Sequence, residues 1–429
     1  MSTTRREFLQ RASTISMGAT LTSFITPEAI AEVERATRAI ANQSAEQTAT
    51  DEKYWESIQK AFHPSPDFIN LENGYFAQAP VDVIETQIKH IRRINENASR
   101  YMRTEQEADR LRVRSELAEF AGCSVDEVVV TRNTTESLDT VISGIDLREG
   151  DEVVISDQDY GSMVEAFEQQ SRRYGIVLKK IALPLHPSSN AEVVRAYESG
   201  MTARTKLVLV THLINITGHI LPVRQLCDMA HARGAEVIVD AAHSFAHIDF
   251  KIPELGCDYL GTSLHKWLST PLGAGLLYVK KEKIKKVWPL FGDTSYPPEN
   301  IRKFEHQGTQ PISTQLAILA ALQFHQVIGS KRKEEWLRFL KNYWVEKVRD
   351  MPRVIINTPK QSELSCAIAN VAIDGMKPKE VSDALFERYK IFTVPIDSPV
   401  VKGVRVTPHL FTKISDLDLL VEGIRKLAR

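Results

Sequence analysis

Lys266 follows a histidine directly in the stretch DYLGTSLHKWLSTPLGAGLLYV, residues 258–279, where apolar residues and glycines predict two strands. A lysine ammonium is costly to bury without a partner. Two interpretations are open: a solvated lysine on a surface loop, or a nitrogen that is bonded covalently to another molecule in the working protein. The polar residues that follow the other predicted strands distinguish between them.

Short β-branched runs alternate with longer helical patterns from EVVVT (127–131) to GAGLLYVK (273–280). This alternation predicts a mostly parallel sheet covered by helices on both faces. Ligands of such sheets bind at the carboxyl ends of the strands, so the polar residues after each strand are candidates for a site. They are Thr134, Thr135, Tyr160, Asn215, Asp240, His243, Ser263, His265 and Lys266.

These residue types match what pyridoxal 5′-phosphate (PLP) requires. The two threonines begin a predicted helix, whose N–H groups and hydroxyls can hold a phosphate. Asp240 can keep a pyridinium nitrogen protonated, and Lys266 can form a Schiff base with the aldehyde. Tyr160 could lie against one ring face, and Asn215 and His243 could reach the ring hydroxyl. Each residue alone has an ordinary structural explanation, such as helix capping, but their joint order favours a cofactor site.

The sequence resembles the class V aminotransferase family of fold-type I PLP-dependent enzymes, and within it the isopenicillin N epimerase-like branch. The resemblance runs from FINLENGYFAQAP to the C-terminus and includes TRNTTESL, THLINITGHILPV, VIVDAAHSF, GTSLHKWLSTPLGAGLLYV, HQGTQP and GVRVTPHLF. It implies an α/β fold with a mostly parallel seven-stranded sheet covered by helices, together with a smaller α+β C-terminal domain.

The resemblance also implies roles for the cofactor residues. Lys266 would be the Schiff-base lysine, and Asp240 would be the partner of the pyridinium nitrogen. Ser263, His265 and the turn Thr134–Thr135 would hold the phosphate.

Further roles concern the substrate and a second subunit. Thr309 matches a segment that reaches the phosphate of the neighbouring subunit's cofactor, which implies a homodimer with shared sites. Arg405 matches the arginine that pairs with the substrate α-carboxylate, a role that suits its planar fork. Asn73 and Tyr75 match the N-terminal segment that lines the substrate side.

Two departures from the family pattern bear on the reaction. Many relatives carry a histidine that stacks on the cofactor ring where this chain has Gln158, so either Tyr160 takes that role or the stack is weaker. The cysteine desulfurases of the family need a mobile cysteine shortly before the carboxylate-binding arginine, and YKIFTVPIDSPVVKGVRV, residues 389–406, contains none. Cys366 is far upstream, in a predicted strand.

We therefore expect a PLP-dependent enzyme, aminotransferase- or epimerase-like, that acts at the α-carbon of an amino acid or a peptide-borne amino acid. Abstraction of the Cα proton ranks first among the reactions. If the substrate is a peptide with a terminal glutamyl-like group, Arg405 could hold a different carboxylate, and decarboxylation becomes possible. One alternative is a C–S lyase or a cysteine desulfurase-like enzyme. Another is a non-catalytic binding protein on a PLP fold, which would be expected to have lost Lys266 or Asp240. Oxidoreductases that bind flavin or nicotinamide through GxGxxG are not indicated, because that motif is absent.

Composition restricts the partners. The net charge of −1 gives no general attraction to nucleic acid or anionic lipid. The four cysteines are widely spaced and indicate neither a metal site nor a disulfide framework. Outside the N-terminus, no apolar run reaches the roughly 20 residues of a membrane span, so stable membrane insertion is not expected.

The N-terminus reads as a cleavable export signal. A basic segment with Arg5-Arg6 precedes an apolar run and the small-residue sequence Ala29-Ile30-Ala31. The arginine pair resembles the twin-arginine type, which serves proteins exported after folding, and a cytosolic cofactor requires loading before export. We expect use of the twin-arginine export machinery, cleavage near Ala31 and a periplasmic location. By analogy with exported relatives of this branch, the substrate would belong to peptide siderophore maturation.

The predicted organisation has four parts. A signal peptide covers residues 1–31, and a polar tether with a short helix covers 32–70. A large PLP-binding domain covers 71–313, and a helix with a small C-terminal domain covers 314–429.

Overall fold

The computed structural model describes residues 28–429, so the predicted signal sequence with Arg5-Arg6 lies outside the described residues. The helices are α1 (Glu28–Ala39), α2 (Ala45–Thr48), α3 (Glu52–Gln59), α4 (Val81–Glu96), α5 (Ala98–Thr104), α6 (Gln106–Ala121), α7 (Thr134–Gly144), α8 (Gly161–Tyr174), α9 (Asn190–Gly200), α10 (Val223–His231), α11 (Ile252–Leu255), α12 (Ile312–Ile328), α13 (Ser330–Val348), α14 (Pro378–Tyr389) and α15 (Ile414–Leu427). The strands are β1 (Ile69–Asn70), β2 (Val128–Thr131), β3 (Glu152–Ser156), β4 (Val177–Ile181), β5 (Thr205–Thr211), β6 (Glu236–Asp240), β7 (Tyr259–Ser263), β8 (Gly275–Val279), β9 (Val354–Ile356), β10 (Ala369–Ile373), β11 (Ile391–Phe392), β12 (Val394–Asp397) and β13 (Lys402–Val406).

The central sheet has seven strands in the order β2-β8-β7-β6-β5-β3-β4. The five strands β3 to β7 run parallel to one another. Strand β8 is antiparallel to both of its neighbours, β7 and β2. The predicted α/β fold with a mostly parallel seven-stranded sheet is confirmed. The parallel strands place their carboxyl ends at one edge, where the candidate residues were expected.

Alternate residues of each inner strand serve opposite faces of this sheet. In β5, Val208 and Val210 belong to one buried cluster, whereas Leu207 and Leu209 belong to another. Helices α4, α6, α9, α10 and α12 cover the first face, and α7 and α8 cover the second. Because both faces are buried, the strand is a continuous apolar run rather than an alternating one.

A smaller α+β unit follows. Its sheet has four strands in the order β12-β13-β10-β9, all antiparallel. Helices α13, α14 and α15 contribute Trp344, Leu385 and Leu420 to a buried cluster that also contains Val404 of β13. This unit brings Arg405 close to the edge of the large sheet.

The short helix predicted within residues 32–70 is present as α3, whereas most of the preceding stretch predicted to be a polar tether is also helical, in α1 and α2, and packed. Ile30 and Val33 of α1 are 0% exposed, and the backbone N–H of Ile30 donates to Asp82 Oδ2 at 2.7 Å. In α3, Trp55 stacks on Trp336 of α13 with ring centroids 4.8 Å apart. Apolar residues three or four apart form one buried face although the segment is polar on average. The predicted cleavage site Ala29-Ile30-Ala31 therefore lies inside α1.

Helix α12 belongs with the large sheet. Its Leu316, Ala317 and Leu322 are part of the buried cluster on the first face of the large sheet. The domain boundary predicted at residue 314 therefore falls inside a helix that packs on the large unit. Among residues 28–429, no single helix has the length and apolarity needed to cross a membrane. Helices α12 and α13 together meet that test by length and composition, with a 77° bend at their junction.

Candidate active site

A cavity of about 200 Å³ lies at the carboxyl ends of β5, β6 and β7. Every residue that the strand-end argument selected lines it, together with Tyr75 from the N-terminal segment. These lining residues are Thr134, Thr135, Tyr160, Asn215, Asp240, His243, Ser263, His265, Lys266 and Tyr75.

Lys266 directs its amine into this cavity. Nζ lies 3.1 Å from His243 Nε2 and 5.7 Å from the centroid of the Tyr75 ring. Burial lowers the pKa of Lys266 to about 8, helped by the charge of Arg405 and opposed by Asp240 and Glu72. A large neutral fraction near pH 8 makes this amine a nucleophile and a base.

Trp267 determines the tautomer of His243. The indole Nε1–H donates to His243 Nδ1 at 3.4 Å, and an indole nitrogen cannot accept a hydrogen bond. Burial keeps the pKa of His243 well below its ordinary value, so the ring is neutral. With Nδ1 as acceptor, the ring proton is on Nε2 and points at the lone pair of Lys266 Nζ. This arrangement requires a neutral Lys266 amine.

Asp240 ends β6 and is 2% exposed. Its Oδ1 accepts the backbone N–H of Ala242 at 2.9 Å. Burial raises the pKa of this carboxyl, and the N–H of Ala242 and the charge of Lys266 oppose the rise. A cation placed in the cavity would offset the cost of keeping this carboxylate buried.

The start of α7 forms an anion site with the end of β7. Asn133 caps the helix by accepting the N–H of Glu136 at 2.9 Å. Ser263 Oγ accepts the N–H of Thr134 at 2.9 Å and lies 2.7 Å from its hydroxyl. The close approach depends on Gly275, because a Cβ there would lie 2.7 Å from the Asn133 backbone.

These residues fit PLP. The α7 N-terminus with Thr134 and Ser263 would hold the phosphate, Asp240 the pyridinium nitrogen and Lys266 the aldehyde carbon. His265 supports this reading, since its buried Nδ1 has no hydrogen-bond partner within residues 28–429, as expected for a group that meets a ligand.

Three residues that the sequence connects with the cofactor or substrate site do not line the cavity. Gln158 is buried and donates to the Leu183 carbonyl at 3.0 Å, whereas Tyr160 lines the cavity and thus occupies the better position to face a ring. Asn73 donates through its amide to the Thr407 carbonyl at 2.9 Å, so it fixes the segment beside β13. Thr309 is exposed on this chain.

Arg405 does not line the cavity either. It is 0% exposed and forms an ion pair with Glu72 at 2.5 Å, while the Tyr75 ring covers its guanidinium at 4.2 Å. Sequence reasoning missed Glu72, although it lies in the matched segment as a carboxylate after the apolar Leu71. The role of Trp267 was missed as well, because a tryptophan at this position is typical of a buried core residue.

Comparisons with known proteins agree with this geometry. The model of the class V aminotransferase family matches residues 69–394. The chain is 26% identical to an isopenicillin N epimerase of Streptomyces clavuligerus over 87% of this chain and 98% of that protein. It is 27% identical to a probable cysteine desulfurase of Halalkalibacterium halodurans over 87% and 96% of the two chains. The solved cysteine desulfurase of Thermococcus onnurineus is similar in fold, with a TM-score of 0.76, 22% identity and coverage of 87% and 98%.

The family match covers well over half of the chain, and the cavity is lined by a lysine and an aspartate whose chemistry fits the cofactor. The protein belongs to the class V aminotransferase family of PLP-dependent enzymes.

Proposed function

We propose that this enzyme breaks the Cα–H bond of an amino acid or a peptide-borne amino acid, as an aminotransferase or an epimerase does. The observation that supports this proposal is the 3.1 Å distance between Lys266 Nζ and His243 Nε2, because an amine in that position can act as a base in its neutral form. The similarity to isopenicillin N epimerases over most of both chains supports it.

PLP, when bound, withdraws electrons from the carbon that carries the substrate amine. Lys266 is the residue that removes the proton from this carbon and can return it, as a general base and then acid. His243 donates from Nε2 and orients the amine. Asp240 would balance the charge of the pyridinium nitrogen, and Thr134 with Ser263 would anchor the phosphate.

Incubation of the loaded enzyme with amino acids and short peptides in D₂O tests the proposal. We expect deuterium at Cα of the substrate, and its loss in Lys266→Ala. Release of sulfide or persulfide from cysteine, with no exchange at Cα of any other amine, would show that the reaction belongs to the desulfurase branch.

A C–S lyase or desulfurase activity is the second candidate, favoured by relatives named as probable cysteine desulfurases. The cysteines of the chain argue against a persulfide carrier. Cys366 is 0% exposed, burial raises its thiol pKa to about 12, and no cysteine lines the cavity. A non-catalytic binding role is disfavoured because both Lys266 and Asp240 face the cavity.

We further propose that the enzyme is exported through the twin-arginine machinery and acts in the periplasm, with a siderophore-like peptide as substrate. The support is the Arg5-Arg6 pair ahead of an apolar run. Changing both arginines to lysine should leave the protein in the cytoplasm, folded and with cofactor bound. Efficient export of this variant would refute the proposal.

A further inference from the structure

The turn after β3 carries two acidic residues that have different partners. Asp157 Oδ1 accepts the backbone N–H of Leu183 at 3.0 Å, and Asp157 does not line the cavity. Asp159 points toward β5 instead. Its Oδ1 accepts a hydrogen bond from the Thr211 hydroxyl at 2.6 Å, and its Oδ2 accepts the backbone N–H of Ser156 at 2.6 Å. Thr211 ends β5 and lines the cavity, so one hydroxyl connects Asp159 to the cavity.

Thr211 lies beside Asp240, the residue whose carboxyl fits the ring nitrogen of PLP. The two residues are partners in the pairing of β5 with β6, so their side chains project from the same face of the sheet. Both line the cavity, and both are buried. The ring-nitrogen side of the cavity therefore has one carboxyl group that lines it directly and a second, that of Asp159, that is linked to it through a hydroxyl.

The hydroxyl of Thr211 has one proton, and the state of Asp159 decides where that proton points. An ionised carboxylate only accepts hydrogen bonds. With Asp159 ionised, the proton therefore points at Oδ1, and the Thr211 oxygen offers lone pairs to the cavity. With Asp159 protonated, Oδ2 still accepts the Ser156 N–H, so the added proton belongs on Oδ1 and is donated to Thr211. The proton of Thr211 can then point into the cavity.

The titratable groups around Asp159 leave both of its states accessible near neutral pH. Burial raises the pKa of Asp159 to about 7. The hydrogen bonds from Thr211 and Ser156 oppose this rise in pKa, and the charge of Asp240 adds to it. Tyr197 of α9 is the other titratable group beside Asp159, and burial raises the pKa of its phenol well above the ordinary value. Tyr197 is therefore neutral in both states of Asp159.

We propose that Asp159 is a positioning residue that acts through Thr211 on the ring nitrogen of the cofactor. Ionised Asp159 holds Thr211 as an acceptor, which favours a protonated ring nitrogen together with the Asp240 carboxylate. Protonated Asp159 makes Thr211 a donor, which disfavours it. The inference goes beyond the proposed function, because a protonated ring nitrogen strengthens the withdrawal of electrons whichever bond of the substrate is broken.

Asp159→Asn tests the inference, because asparagine reproduces the hydrogen bonds of the protonated acid: the amide oxygen accepts from Ser156 and the NH₂ group donates to Thr211. The cofactor-free enzyme is titrated with PLP and with 1-deaza-PLP, in which carbon replaces the ring nitrogen, and binding is read from the absorbance change. At about pH 8 we expect Asp159→Asn to weaken binding of PLP relative to 1-deaza-PLP by at least about fivefold, or about 1 kcal/mol. Because Asp159 is itself protonated below about pH 7, this difference from wild type should shrink at about pH 5.5.

Asp157→Asn is the matched control. It changes an acid of the same turn that bonds Leu183 rather than Thr211, so the ratio of the two affinities should equal that of wild type. Thr211→Val should also weaken binding of PLP relative to 1-deaza-PLP, and it tests the inference even if Asp159→Asn does not fold. Adding Asp159→Asn to Thr211→Val should change the ratio no further.

Three results would overturn the inference: an unchanged ratio in Asp159→Asn or in Thr211→Val, equal weakening of both cofactors, or a further change of the ratio in the double variant. Failure of the proposed function is a separate result, namely no deuterium at Cα of any substrate, and it does not alter the comparison of the two cofactors.

Discussion

Trp267 donates its indole N–H to His243 Nδ1 at 3.4 Å, and this contact decides the direction of the hydrogen bond between His243 and Lys266. The indole stacks on the His247 ring, with ring centroids 3.6 Å apart, and on the His409 ring, with ring centroids 5.6 Å apart. These two contacts hold it in place. Trp267 is thus linked to the amine of Lys266, the proposed Schiff-base lysine, through the His243 imidazole.

Trp267→Phe should raise the pKa of Lys266 from about 8 toward its ordinary value. Without the indole donor, His243 can move its proton to Nδ1 and accept from a charged Lys266 through Nε2, which stabilises the ammonium. A hydrogen bond of about 1 kcal/mol corresponds to a shift of somewhat less than one pH unit. The pH midpoint of PLP uptake by the cofactor-free enzyme measures this pKa, because only the neutral amine reacts.

The charged groups that face Lys266 are Asp240, Arg405 and Glu72, and Trp267→Phe leaves all three in place. Trp336→Phe is the control, since Trp336 is buried and stacked but its Nε1 has no partner in the described chain. It should lower stability without moving the midpoint. An unchanged midpoint in Trp267→Phe would contradict the assigned tautomer.

Thr309 gives a prediction about assembly. It is exposed on one chain and is expected to reach the cofactor phosphate of a second subunit. Thr309→Ala should increase the rate at which dialysed enzyme loses PLP, whereas Thr50→Ala, at another exposed threonine, should not. Sedimentation should show a dimer. A monomer with full PLP occupancy would refute the shared site.

The packing of α1 gives a prediction about stability and processing. Ile30→Ala should lower the free energy of unfolding by about 2–5 kcal/mol, the usual cost of removing a buried isoleucine side chain. Ile91→Ala is the matched control, because Ile91 is 50% exposed and should change stability by less than about 0.5 kcal/mol. Denaturant unfolding measures both variants.

If Ile30→Ala is as stable as wild type, α1 is not packed in solution and cleavage at Ala31 regains its support. If it is destabilised as expected, processing at Ala31 would remove a core residue, and the N-terminus of the mature protein should lie before Glu28.

The strand-end residues were predictable because one rule governs them. Asp240 ends β6, and Asn215 and Lys266 follow β5 and β7. The carboxyl ends of parallel neighbours meet at one edge of the sheet whatever the details of packing. Sequence order was therefore sufficient to bring these three side chains to one cavity.

The contacts that define Arg405 were not predictable in this way. Glu72 and Arg405 are 333 residues apart, and their pairing depends on how the small unit packs against the N-terminal segment. The packing of helix α1 was not predictable for a related reason. The segment is polar on average, and its two buried apolar residues, Ile30 and Val33, indicate a packed face only when the surface that they contact is known.

The most direct test of the central claim is borohydride reduction of the PLP-loaded enzyme followed by peptide mapping. Lys333 and Lys341 are demanding internal controls, because burial lowers their pKa values to about 7 and about 8, so each would also be a nucleophile if the cofactor reached it. Neither lines the cavity. We predict one phosphopyridoxyl group, on the peptide that contains Lys266. A label on Lys333, Lys341 or any other lysine, or no label at all, would contradict the assignment of this site.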